Sequence, residues 1–95
     1  MASEKVIEQY LRKTVKKFGG FTNKGNATNC KGYPDRIIHL PGGIIGFLEL
    51  KSKGRKPTRL QRYYLDLLSG LGFKAEYADT KEEVDKFLKE LCDKI

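Results

Sequence analysis

Three residues stand out for the chemistry their types and spacing allow: Asp35, which follows Pro34, and Glu49 and Lys51, separated by Leu50. If the segment around Glu49 is a strand, side chains alternate across it, so Glu49 and Lys51 share a face. They then stand roughly 6–7 Å apart at about 3.3 Å per residue. Between Asp35 and Glu49 lies Pro41-Gly42-Gly43, which is turn chemistry that folds one strand back on the other. In register, this hairpin brings the Asp35 end beside the Glu49 end. Two carboxylates at adjacent strand ends repel unless a cation sits between them. A divalent metal such as Mg²⁺ takes hard oxygen ligands and needs only one or two protein carboxylates, with water and phosphate oxygens completing its shell. Such a metal lowers the pKa of its bound water and polarises a phosphate. Lys51 beside it could orient or deprotonate that water, or neutralise charge on the phosphate.

Bland readings exist for each part. An Asp after Pro is often a turn residue, and a Glu-x-Lys at a strand end is often a solvated ion pair worth little. Glu49 nevertheless interrupts a run, Ile44 to Leu50, that otherwise reads as a strand covered on both faces. A buried acid needs a partner or an ion.

The elements that must position these residues follow from periodicity. Ile7, Leu11, Val15 and Phe18 recur at helical spacing over 4–18, with Ser3 as cap and Gly19-Gly20 as stop. Phe21–Lys24 reads as a short strand and 25–32 as a polar loop. Asp35–Leu40 and Ile44–Leu50 form the hairpin. A basic loop over 51–57 leads to a helix beginning at Thr58, with Leu60, Tyr64, Leu67, Leu68 and Leu71 as its apolar face and Gly70 and Gly72 at its end. Phe73–Ala78 is a strand. A last helix starts at Thr80, where Thr80 and Glu83 fit a capping box, and buries Val84, Phe87, Leu88 and Leu91. The order αβββαβα predicts an α/β domain, a central mixed sheet flanked by helices.

Composition narrows the partners. The chain has 95 residues, 39% hydrophobic and 33% charged, which suits one folded domain over 1–95. It has no apolar stretch near the ~20 residues needed to span a bilayer and no signal-peptide core, so a cytoplasmic location is expected. Cys30 and Cys92 are not spaced for zinc, and His39 lies apart from both, so reduced thiols are the expected state. The net charge of +7 favours phosphate-bearing partners. Its distribution is the sharper signal: Lys51, Lys53, Arg55, Lys56, Arg59 and Arg62 follow one another without an acid between. Lys53, Arg55, Lys56, Arg59 and Arg62 are candidate nucleic-acid-backbone contacts, and Lys24, Lys31 and Arg36 could extend that surface. Tyr33 and Tyr63 could stack on unpaired bases, whereas Tyr64 reads as core.

Taken together, Gly-Tyr-Pro-Asp-Arg at 32–36, Pro-Gly-Gly at 41–43, Phe-Leu-Glu-Leu-Lys at 47–51 and Lys-Pro-Thr-Arg-Leu-Gln at 56–61 resemble the PD-(D/E)XK nuclease superfamily. Within it, the chain is most similar to the VRR-NUC group and its small stand-alone phage members, over almost its whole length. The resemblance implies a restriction-endonuclease-like core. It also implies a metal site of Asp35, Glu49 and the backbone carbonyl of Leu50, with Mg²⁺ or Mn²⁺ as cofactor and Lys51 as the catalytic lysine. Gln61 corresponds to a glutamine facing the same site, although Thr58-Arg59-Leu60-Gln61 is itself a capping box. A first-helix glutamate is expected near the metal, Glu4 by alignment or Glu8 one turn on, although either could simply favour the helix dipole.

The resemblance further implies a homodimer cutting branched, Holliday-junction-like DNA, in the cytoplasm of the host cell if phage-encoded. A non-catalytic basic nucleic-acid-binding module of a phage replication or recombination complex is the alternative. A sequence-reading restriction-type enzyme lacks a visible target-recognition segment.

Overall fold

The structure, a computed structural model, describes residues 3–25 and 30–93. The chain runs α1 (Glu4–Lys17), β1 (Phe21–Lys24), β2 (Arg36–Leu40), β3 (Ile44–Leu50), α2 (Arg59–Gly70), β4 (Lys74–Ala78) and α3 (Lys81–Cys92). This is the expected order αβββαβα. The strands form one mixed sheet in the order β1-β2-β3-β4. The β1–β2 and β2–β3 pairs are antiparallel and β3–β4 is parallel. A parallel pair needs a crossover, and α2 supplies it.

Alternation along β2 and β3 sorts the two cores. Ile38, Leu40, Leu48 and Leu50 meet Ile7, Leu11 and Val15 of α1 and Val84, Phe87, Leu88 and Leu91 of α3. On the opposite face, Phe47 and Ala75 meet Leu65 and Leu68 of α2. Each fully buried aliphatic side chain contributes about 1.5–3 kcal/mol, so the α1/α3 layer carries most of the apolar burial. β3 lies between both layers, and Gly46 to Leu50 are all buried, as expected of a strand covered on both faces.

Caps set the helix bounds. The Ser3 Oγ accepts from the Val6 N–H at 3.3 Å. Phe18 is the C-cap of α1 and 39% exposed, not the helical core residue its spacing suggested. Thr58 and Gln61 form a complete capping box on α2, and the Thr80 hydroxyl accepts from the Glu83 N–H on α3.

The expected apolar face of α2 is corrected. Leu60, Leu67 and Leu71 are 41%, 45% and 69% exposed, whereas Leu65 is fully buried. The helix packs on β4 and β3 through a narrow stripe at positions 65 and 68, so its other leucines stay outside. The loop expected over 25–32 falls partly on 26–29, outside the described residues. No helix among the described residues is long and apolar enough to cross a membrane.

Candidate active site

β2 and β3 pair with Arg36 opposite Leu48 and Ile37 opposite Phe47. One step outward, that register sets Asp35 beside Glu49 at the open end of the hairpin. Asp35 lies just before β2, and its Oδ2 accepts from the Leu50 N–H at 3.2 Å. The next N–H, that of Lys51, points the other way and donates to the Ala78 carbonyl at 3.0 Å. In extended backbone the N–H and C=O of one residue point the same way. The Leu50 carbonyl is therefore directed to the Asp35 side.

Glu49 is 1% exposed, and its Oε1 is buried with no hydrogen-bond partner among the described residues. Its Oε2 lies 3.7 Å from the Lys51 Nζ. Burial first, then the neighbouring Asp35 carboxylate, push the Glu49 pKa up to about 8, with Lys51 pulling the other way. A buried, under-partnered acid costs stability unless something compensates it. Its geometry, an orphaned hard oxygen next to a second carboxylate, fits a divalent cation. No group of three or more His, Cys, Asp or Glu side chains is gathered to hold a metal ion among the described residues. A metal here would rely on two carboxylates, backbone oxygen and water, which suits Mg²⁺ better than zinc.

Beside this pair opens a cleft of about 310 Å³ lined by Glu4, Lys5, Glu8, Lys24, Asp35 and Leu50. The first helix thus brings both of its candidate acids to Asp35. Glu8 is further held by Arg36, whose Nη1 is 3.8 Å from the Glu8 Oε2.

No family model matches the chain. A solved structure described as a "VRR_NUC domain" superposes with a TM-score of 0.83 at 24% identity, covering 93% of this chain and 97% of that one. This likeness shows the fold. A protein of Acyrthosiphon pisum secondary endosymbiont phage 1, named "Putative nuclease p44", is 37% identical over 79 residues, 83% of this chain and 85% of its own. The chain belongs to the family of this phage nuclease, and its fold is that of a VRR_NUC domain.

Within this VRR-NUC fold, Gln61 sits in the first turn of α2 with its Oε1 accepting from the Thr58 N–H at 2.8 Å. It does not line the cleft, and the helix cap accounts for its oxygen. Lys53, Arg55, Lys56 and Arg59 are exposed in and after the loop that follows β3. That loop is pinned to the end of β4, where the Gly54 N–H donates to the Asp79 Oδ2 at 3.0 Å. Arg62 is exposed too, with its Nε on Asp66 at 3.2 Å.

Arg36 does not extend the open basic surface. It is 4% exposed, its guanidinium faces Glu8 and the Thr22 carbonyl, and its Nε is unpartnered. Burial presses its pKa below the ordinary value, and Glu8 opposes that shift. The reason is register: Arg36 precedes Ile38 by two and so shares the face that α1 covers. Tyr33 and Tyr64 pack edge-on at 5.7 Å, while Tyr63 is 56% exposed.

Sequence reasoning missed Gly25. Its N–H donates to the Asp35 carbonyl at 2.7 Å, and a Cβ there would meet the Pro34 carbonyl oxygen at 2.1 Å. Backbone cannot yield as a flexible side chain does, so only glycine lets the two segments close and set Asp35. A glycine directly after a short strand was the available signal for such an approach. Gly25→Ala is expected to lower nuclease activity at least about tenfold through displacement of Asp35, with a stability loss on the order of 1–3 kcal/mol. Steady-state cleavage rates and a urea melt of the same preparation check both.

Proposed function

We propose that this protein is a metal-dependent endonuclease that hydrolyses DNA phosphodiester bonds, acting on branched, four-way-junction-like DNA as a homodimer. The observation that carries the proposal is the buried Glu49 beside Asp35, with an unpartnered Glu49 oxygen among the described residues and the Lys51 Nζ 3.7 Å from its other oxygen. Asp35, Glu49 and the Leu50 carbonyl would hold Mg²⁺ or Mn²⁺, and Glu4 or Glu8 would complete the site through water or directly. When bound, the metal lowers the pKa of its water and polarises the scissile phosphate. Glu49 would hold the metal as a carboxylate from its buried position. Lys51 places a cation where negative charge develops on the phosphate and can pass a proton to or from the attacking water. Gln61, at the start of α2, would serve such a site only through its amide nitrogen, because its oxygen accepts from the Thr58 N–H.

Lys53, Arg55, Lys56, Arg59 and Arg62 would hold the backbone without reading sequence. The exposed Tyr63 is suited to stack on a base unpaired at a branch. Two cuts on opposing strands need two sites, which a homodimer supplies.

The test is cleavage of linear, nicked, flapped and four-way DNA with Mg²⁺, Mn²⁺ or EDTA, alongside sedimentation of the free protein. Cutting is expected with either metal, fastest on the four-way junction, and absent in EDTA, from a species of twice the chain mass. Cutting in EDTA would overturn the metal site. Tight, salt-sensitive binding without cutting in either metal would replace the enzyme with a non-catalytic binding module.

A further inference from the structure

Glu8, Arg12 and Lys16 each follow directly after a buried core residue of α1, namely Ile7, Leu11 and Val15. At 100° per residue all three are therefore offset to the same side of the helix's core stripe. The other flank is committed to α3, where the Tyr10 hydroxyl donates to Asp85 at 2.7 Å. The Glu8 flank turns instead toward β2, since Glu8 meets Arg36, and it begins at the cleft that Glu4 and Glu8 line.

Beyond Glu8 this flank changes sign. Gln9, Arg12, Lys13 and Lys16, all exposed, line a hollow of about 370 Å³ with no acid among them. Among the described residues, no acidic side chain pairs with Arg12, Lys13 or Lys16. Two cations elsewhere are satisfied internally: Lys74 meets Glu76 and Glu90, and Arg62 meets Asp66. Arg12 also lies near enough to Arg36 to oppose its charge. Like charges at i and i+4 destabilise a helix. The macrodipole offsets this for Lys16 in the last turn but not for Arg12 in mid-helix.

We infer that Arg12, Lys13 and Lys16 form a second phosphate track, along which the nucleic-acid backbone leaving the Asp35 cleft lies. With a rise of about 1.5 Å per residue, Arg12 and Lys16 stand about 6 and 12 Å beyond Glu8. At about 3.4 Å of axis per nucleotide of one strand, the track serves the next three or four nucleotides. It lies on a different element from the loop after β3, so the two basic regions would hold backbone on either side of the cut. The inference rests on the proposed function only in seating a DNA phosphate at the cleft.

The test compares Arg12→Gln/Lys13→Gln/Lys16→Gln with a charge-matched control on α3, Lys81→Gln/Lys86→Gln/Lys89→Gln. Each takes the net charge from +7 to +4, a loss of three. Binding of a labelled four-way junction is followed by fluorescence anisotropy in EDTA between 50 and 200 mM salt, conditions set here on the scale over which phosphate contacts respond. The α1 variant is expected to lose about 2.7 from the log–log salt slope, three contacts at about 0.9 each, and at least about tenfold in affinity at 150 mM. The control is expected to keep the parental slope and to bind within about twofold of the parent. Equal slopes in the two variants would overturn the track, as would parental binding by the α1 variant, which would assign the hollow to an acidic protein partner instead. Failure of the parent to cut DNA in any metal would remove the nuclease reading while leaving this comparison of slopes intact.

Discussion

Asp35→Asn is expected to reduce metal-dependent cleavage by at least about 100-fold while leaving the fold in place. The side chain is only partly buried, and an asparagine oxygen can still accept from the Leu50 N–H as the Asp35 Oδ2 does at 3.2 Å. What the substitution removes is a unit of negative charge at the wall of the cleft. Two readouts separate this from simple misfolding. Mn²⁺ binding, followed by the loss of the free-ion electron-spin signal, should fall together with the rate. In addition, Glu49 should titrate nearer to an ordinary glutamate, because Asp35 is one of the causes that raise it. Lys51→Ala should lose a similar factor in rate yet retain metal binding, since its Nζ is a cation and cannot be a ligand. Full activity in either variant would sink the assignment of the site.

The second large effect concerns pH. The Glu49 carboxyl is raised from 4.5 to about 8 by burial and by Asp35. Between these values the metal-free folded protein holds a proton that the unfolded chain has released. Stability from this group is therefore fully present below about 4.5 and is lost as pH rises through about 8. The slope in that window is at most about 1.4 kcal/mol per pH unit. Metal loading has the opposite dependence, because the metal competes with that proton. Mn²⁺ affinity should rise by up to about tenfold per pH unit as pH approaches 8 and level off above it.

Glu49→Gln should flatten the stability profile, make the metal-free protein more stable at pH 8 than the parent, and abolish the rise in Mn²⁺ affinity. Chemical denaturation at a series of pH values with EDTA, repeated with Mn²⁺, measures all three. A parent whose metal-free stability is level between pH 5 and 8 would remove the buried-proton account.

Glu49 and Arg36 mark the boundary between what could be read from the chain and what could not. Glu49 was visible because it breaks an apolar run, and a strand covered on both faces gives an acid nowhere to go but inward. Arg36 was read as one more surface cation because a lone arginine after Asp35 carries no periodic signal. Only the packing of α1 over that face of β2 shows that its guanidinium is enclosed against Glu8. The same limit appears in α2. Positions 60, 64, 67, 68 and 71 are spaced as an apolar helix face, but the stripe a helix buries depends on how it rolls against its neighbours, and here that stripe is Leu65 and Leu68.

The central feature, Asp35 set beside Glu49 with Lys51 just past the end of the same strand, was determined locally. Alternation, a Pro-Gly-Gly turn and the count of residues between the strands place the two carboxylates together, and these are short-range properties of the chain. So are the element order and the helix caps, because a capping hydroxyl and its N–H lie three residues apart. Tertiary structure decided the rest. It made Glu49 an unpartnered buried oxygen, brought Glu4 and Glu8 from the first helix to a cleft with Asp35, and required glycine at position 25. Among the described residues it also left Arg12, Lys13 and Lys16 without an acidic partner along the outer flank of α1. Those outcomes depend on contacts between segments far apart in the chain, and no periodicity within a single segment encodes the distance or the burial that such contacts produce.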